Sequence, residues 1–103
     1  MHRSHPRVLT LSPKELLVLE LLRDRKLYGL QLVAASRRRL KRGTIYVTLG
    51  RMEEKGYVTS MLEAAPVGAG GLPRRIYTAT ALGRRMFAAW TSGATQLVPE
   101  MGR

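Results

Sequence analysis

Cysteine is absent from this chain of 103 residues. That absence removes disulfides, thiolate metal sites and cysteine nucleophiles together, and it fits a cytoplasmic protein. Acids are few, with seven Asp plus Glu, and the two histidines, His2 and His5, both fall within the first five residues. So thin a supply, with no histidine further along, leaves no Ser-His-Asp arrangement to assemble. His2 and His5 have a metal-like spacing, but no carboxylate lies near them and the segment shows no periodicity, so no metal ligand is expected there. Gly68, Gly70 and Gly71 lack both the strand-to-helix context and the Lys-Ser/Thr pair of a phosphate loop. The expectation is a protein without catalytic residues or cofactor. Apolar runs never approach the ~20 residues that span a bilayer. Residues 1–7 lead into no signal peptide with a small-residue cleavage site.

What is present is positive charge. Eighteen Lys plus Arg against seven acids give a net charge of +11, on a chain whose apolar fraction of 45% is ordinary for a folded domain. Fourteen of the eighteen bases are Arg, whose planar guanidinium suits phosphate and guanine better than an ammonium does. Such an excess attracts a polyanion, whether DNA, RNA or an anionic membrane face. Composition alone does not choose among them.

The length is that of one domain. Residues 1–11 read as a flexible basic arm. Ser12-Pro13-Lys14-Glu15 then places a capping Ser, a Pro at the first helical position and a Glu three residues after the cap. Leu16, Leu17, Val18, Leu19, Leu21 and Leu22 make that helix apolar around most of its girth, so it belongs in the core, ending near Arg25. Tyr28-Gly29 opens a second helix that reaches about Ser36. Five bases then surround one apolar residue, Leu40, which should anchor the connection.

Gly43-Thr44 opens a third helix, from Ile45 to about Lys55, which Gly56 stops. On it Ile45, Leu49 and Met52 share one stripe, while Thr44, Val47, Thr48, Arg51 and Lys55 share another. Strands are expected from Tyr57 to Ala64 and from Arg74 to Ala79, joined by a Gly-rich loop closed by Pro73. Thr80 caps a last helix carrying Leu82, Met86, Trp90 and Leu97 at helical spacing, ended by Val98-Pro99. The order is that of a winged helix: mainly α, with three helices, a two-stranded wing and a C-terminal helix. The expected organisation is a DNA-binding unit over residues 12–80, a dimerisation helix over 81–97 and a loose tail over 98–103.

Two stretches carry a family resemblance. Gly43-Thr44-Ile45-Tyr46, followed by Leu49, Arg51-Met52-Glu53 and Lys55-Gly56-Tyr57-Val58, resembles the recognition helix of PadR-like transcriptional regulators. Gly71-Leu72-Pro73-Arg74-Arg75-Ile76-Tyr77 and Thr80-Ala81-Leu82-Gly83-Arg84 resemble that family's wing and the start of its final helix. Tyr28-Gly29 falls where the family opens its second helix, and the likeness runs from about Ser12 to Trp90. Where the family often has Pro, this chain has Val47, so the third helix should start less abruptly. The resemblance implies a homodimer held by the last helix with the N-terminal one, and this last helix is short for the family.

The expected DNA contacts follow from these placements. Thr44, near a helix N-terminus, suits phosphate. Val47 and Thr48 suit thymine methyls, and Arg51 suits guanine or phosphate. Tyr46 has two readings: its ring packs while its hydroxyl reaches phosphate, or it simply fills core. Arg37, Arg38, Arg39, Lys41 and Arg42 precede the helix and should neutralise phosphates. Arg74 and Arg75 alternate in direction in a regular strand, so only one should face DNA, at the minor groove or a phosphate; for the other, the plain structural alternative is cross-strand pairing with Glu63. Leu82, Met86, Trp90 and Leu97 should form the dimer interface. Trp90 packs there or, as the resemblance implies, borders a pocket for a small aromatic effector.

The function these readings favour is a sequence-specific DNA-binding regulator, a repressor acting as a homodimer on a pseudo-palindromic operator. The same charge would also serve a structural, ribosome-associated RNA-binding domain. A winged helix that binds protein is a third reading.

Overall fold

A computed structural model describes residues 10–64 and 73–101, with side chains described as far as Ser92. The basic arm expected over residues 1–11 therefore falls almost wholly outside the described residues, as do the Gly-rich wing loop and the end of the tail.

The first helix, α1 (Pro13–Leu21), starts at the expected capping box. Glu15 N–H donates to Ser12 Oγ at 3.1 Å, and Ser12 N–H donates back to Glu15 Oε1 at 2.9 Å. Two of the donors that a helix start leaves unpaired are thereby satisfied. α1 closes at Leu22 rather than near Arg25. The reason lies in the next element: Leu27 and Tyr28 form a short strand, β1 (Leu27–Tyr28), and the charged turn before it must release the helix into extended chain.

α2 (Gly29–Ala35) and α3 (Ile45–Lys55) follow, then β2 (Val58–Glu63), β3 (Arg74–Ala79) and α4 (Ala81–Met101). The sheet has three antiparallel strands in the order β1-β3-β2, not the two expected. Leu27 lies opposite Tyr77 and Tyr28 opposite Ile76, while the hairpin pairs Val58 with Ala79 through to Glu63 with Arg74. A two-residue strand shows no alternation of its own, so only the presence of β3 reveals it.

Leu17, Val18, Leu19 and Leu22 of the first helix meet Leu32, Leu40, Ile45, Leu49 and Met52 in one core, closed by Tyr57, Val58, Tyr77 and Ala79. Burying each large apolar side chain of this kind contributes about 2 kcal/mol. Leu40 is buried, so it anchors the α2–α3 connection as expected. Gly56 ends α3 with φ of 82°, a left-handed conformation that a side chain disfavours. Thr80 joins the hairpin to α4: its hydroxyl donates to Gly56 O at 2.5 Å and accepts from Gly83 N–H at 2.9 Å.

α4 passes through Val98-Pro99 to Met101 instead of stopping at Leu97. Proline removes one N–H donor and so one helical hydrogen bond, which near a helix end does not by itself unwind the backbone. No helix among the described residues is long and apolar enough to cross a membrane.

Candidate nucleic-acid interface

The third helix divides as its stripes require. Ile45, Leu49 and Met52 are buried, so the opposite face must look outward. Thr44, Val47 and Arg51 are exposed, Thr48 is half-buried, and Val47 leaves 56% of its surface open. An exposed valine gains nothing from water, and here it sits between two threonines on a helix flanked by bases. Thr44 occupies the N-cap position with its side chain making no cap hydrogen bond, so its hydroxyl remains free for a ligand.

Lys55, the last member of that stripe, is committed elsewhere. Its ammonium lies 2.8 Å and 3.0 Å from the two carboxylate oxygens of Glu15, which is only 3% exposed. A buried carboxylate needs a counter-charge, and Lys55 supplies it, which withdraws Lys55 from the outward-facing set. The sequence reading missed this because residues 15 and 55 come together only when α1 packs on α3.

The first turn of α1 and the outer face of α3 enclose a cleft of about 520 Å³. Lys14 lines it together with Thr44, Val47, Thr48 and Arg51. With Glu15 paired to Lys55, the charges left facing the cleft are Lys14 and Arg51. Lys14 was not singled out from sequence. No local signal marks it, since a lysine in a first helical turn is an ordinary solvated residue.

Tyr46 is 53% exposed, which excludes the core-filling reading. Its ring rests against Gly29: a Cβ there would meet Tyr46 Cε1 at 2.6 Å and its hydroxyl at 2.7 Å. The absence of a side chain at the start of α2 thus gives Tyr46 its seat.

The base of the wing is organised by Tyr28. The Arg74 guanidinium stacks on its ring, 4.1 Å from the centroid, a cation–π contact. The Tyr28 hydroxyl donates to the Glu63 carboxylate, and that hydrogen bond pushes the phenol above its ordinary pKa, with burial adding to the effect. Glu63 lies directly across from Arg74 in the sheet, yet its hydrogen bond goes to Tyr28. Arg75 donates to Ser60 Oγ at 3.0 Å, and Ser60 donates to Glu53 at 2.8 Å. Neither arginine forms an ion pair with Glu63 among the described residues: Tyr28, on the opposite side of β3 from β2, extends past Arg74 and takes that carboxylate with its hydroxyl.

Arg37, Arg38, Arg39, Lys41 and Arg42 are all exposed. Among the described residues the one ion pair is Lys55–Glu15, so these five charges have no acidic partner there. Ser36 organises the turn beneath them: its hydroxyl donates to Val33 O at 2.7 Å and accepts from Leu40 N–H at 2.9 Å.

On α4, Leu82 and Met86 are half-buried against the molecule's own core, together with Phe87. Trp90 is 43% exposed. The side chain of Leu97 lies outside the described residues.

Comparison with known proteins adds to this geometry. The model of the transcriptional regulator PadR-like family matches residues 18–89. The fold is similar to that of a PadR family transcription regulator from hypervirulent Clostridium difficile R20291, with 25% identity, a TM-score of 0.70, and coverage of 85% of this chain and 93% of that one. It is also similar to a transcriptional regulator from Thermoplasma acidophilum, with 27% identity, a TM-score of 0.66 and 84% of each chain covered. Bacillus subtilis PadR in complex with operator DNA has the same fold, at 21% identity and a TM-score of 0.67, over 77% of this chain and 46% of that one. No curated protein matches the chain in sequence.

Proposed function

Because the chain belongs to the PadR-like family of transcriptional regulators, we propose that it is a sequence-specific DNA-binding repressor acting as a homodimer on a pseudo-palindromic operator. Such proteins are regulators and not enzymes, and a ribosome-associated role falls away with that membership. The observation that carries the proposal is the outer face of α3. Thr44, Val47, Thr48 and Arg51 form an open stripe flanked by five unpaired cations on one side and by Arg74 and Arg75 at the wing base.

In this reading α3 enters the major groove. Arg51 contacts guanine or phosphate, and Val47 and Thr48 meet thymine methyls. Thr44, Tyr46 and the bases of the α2–α3 turn hold the phosphate backbone, which positions the helix without specifying sequence. Arg74 and Arg75 reach the backbone or minor groove from the wing. Residues 12–80 form the DNA-binding unit, and α4 is the dimerisation helix, with Trp90 at the interface or beside a small aromatic effector. The two copies of α3 then sit about one helical turn, ~34 Å, apart. The Bacillus subtilis relative seen with operator DNA supports this use of the fold.

Selection of bound sequences from random duplex DNA tests the proposal. A single enriched pseudo-palindromic site is the expected outcome. Equal binding of all duplexes at moderate salt would leave the proposal without its specificity.

A further inference from the structure

The α2–α3 connection does more than carry charge: it closes an open groove of about 630 Å³. The floor is aliphatic, made by Leu30, Val33, Ala34 and Leu40, and the rim is cationic, made by Arg38, Lys41 and Arg42. Phosphate neutralisation requires the cations but gives no reason for an aliphatic hollow beneath them. The volume lies within the range of small-molecule sites, which combine an apolar lining with a few converging polar groups.

The groove is also held in shape. Leu40 is buried at one end, and the Ser36 hydroxyl bridges Val33 to Leu40 underneath it. Arg37 and Arg38 have φ of 55° and 69°, left-handed values that cost energy for any residue with a side chain. Glycine would relieve that cost, whereas arginine at position 38 keeps a guanidinium on the rim of the hollow. Leu30 is 48% exposed at its edge.

We propose that this groove binds an aliphatic monocarboxylate of medium chain length. The chain would lie on Leu30, Val33 and Ala34, above the buried Leu40, and the carboxylate would be held by Arg38, Lys41 and Arg42. The lining contains no aromatic ring, which favours an alkyl chain over a stacked one. The occupant neutralises cations that contact phosphate in the function proposed above, so it weakens DNA binding by competing for the same charges. That coupling rests on the DNA-binding reading, whereas the ligand site does not.

Decanoate, kept below its micelle concentration, is the probe, titrated into the full chain and followed by calorimetry. One saturable site is expected, while acetate, which lacks the chain, and decanol, which lacks the charge, give none. Leu30→Gln and Lys41→Gln, both at exposed positions, each weaken decanoate binding at least tenfold without loss of fold by circular dichroism. In the presence of the selected duplex, saturating decanoate raises the apparent Kd several-fold in the wild type and not in Leu30→Gln. Absence of saturable binding, or binding untouched by both substitutions, overturns the site. Binding by a short peptide rich in Leu and Asp without any response to decanoate overturns it in favour of a protein partner. Decanoate binding that leaves the duplex in place overturns the coupling.

Discussion

Lys55 Nζ lies 2.8 Å from Glu15 Oε2, joining the last turn of α3 to the first turn of α1. The lysine side chain is about one-third exposed, whereas that of glutamate is almost wholly covered. Glu15 also completes the capping box at Ser12. One carboxylate therefore fixes the start of one helix and the docking of another.

The first prediction follows from that inequality of burial. Lys55→Met strands a buried carboxylate and costs about 2 kcal/mol of stability, below the usual figure for a broken buried pair because the lysine is partly solvated. Urea unfolding measures this loss. The salt dependence of DNA affinity should stay as in the wild type; a slope reduced by about one would make Lys55 a phosphate contact after all.

Arg51 and Arg38 should separate reading from holding. Arg51→Ala is expected to relax sequence preference at one position of the selected site, at about 1–3 kcal/mol for the preferred base. Arg38→Ala should weaken all duplexes alike and lower the salt slope by about one. Competition binding over a panel of single-base variants at several salt concentrations distinguishes them, and identical behaviour of the two variants would mean that the reading surface lies elsewhere.

Gly29→Ala addresses the seat of Tyr46. The new methyl collides with the end of an exposed ring that can swing away, so stability should change by no more than about 0.5 kcal/mol. DNA affinity should fall, because Tyr46 loses its orientation toward the backbone. A Tyr46→Phe variant with the same affinity loss would assign the effect to the hydroxyl.

Tyr57 supplies a pH test. Burial pushes its phenol above the ordinary value of 10.0, opposed by Lys55 and assisted by Glu15. The folded protein then keeps this proton when the unfolded chain has already lost it. Stability contributed by the group is complete below about pH 10 and declines as pH rises toward the folded value. The hydroxyl also donates to Thr10 O at 2.9 Å, so Tyr57→Phe costs about 1 kcal/mol at neutral pH. Above pH 10 the variant should lose stability less steeply than the wild type in chemical denaturation, so that the two curves converge.

Trp90→Asp tests the proposed dimer. The indole is part exposed, so the protomer should fold unchanged, while light scattering at micromolar concentration should report half the wild-type mass. An unchanged mass would remove Trp90 from the interface.

Much of the fold was legible because its signals are local. Ser12, Pro13 and Glu15 announce a helix start within four residues, and Ile45, Leu49 and Met52 mark the buried side of α3 by spacing alone. β3 was bounded at Arg74 and Ala79 by composition and by Pro73. Other features had no local signal. β1 is two residues long and exists only through its pairing with β3. α1 stops short of Arg25 for the same reason, and α4 runs past Pro99.

The same distinction holds at the interface. Periodicity placed Thr44, Val47, Thr48, Arg51 and Lys55 on one face of α3, and chain order placed the basic run beside it. What periodicity cannot convey is which of those side chains a distant residue has already engaged. Glu15 takes Lys55, Tyr28 takes both the face of Arg74 and the hydrogen bond of Glu63, and Gly29 makes room for Tyr46. Each case joins residues far apart in the chain through contacts a few ångströms long. Charge, helices and the faces that had to be buried follow from composition and from spacing within one element, so they can be read along the chain. Which cations remain unpaired, and what lies beneath them, is set by packing, because ion pairing, stacking and burial depend on distances that exist only after the elements have come together.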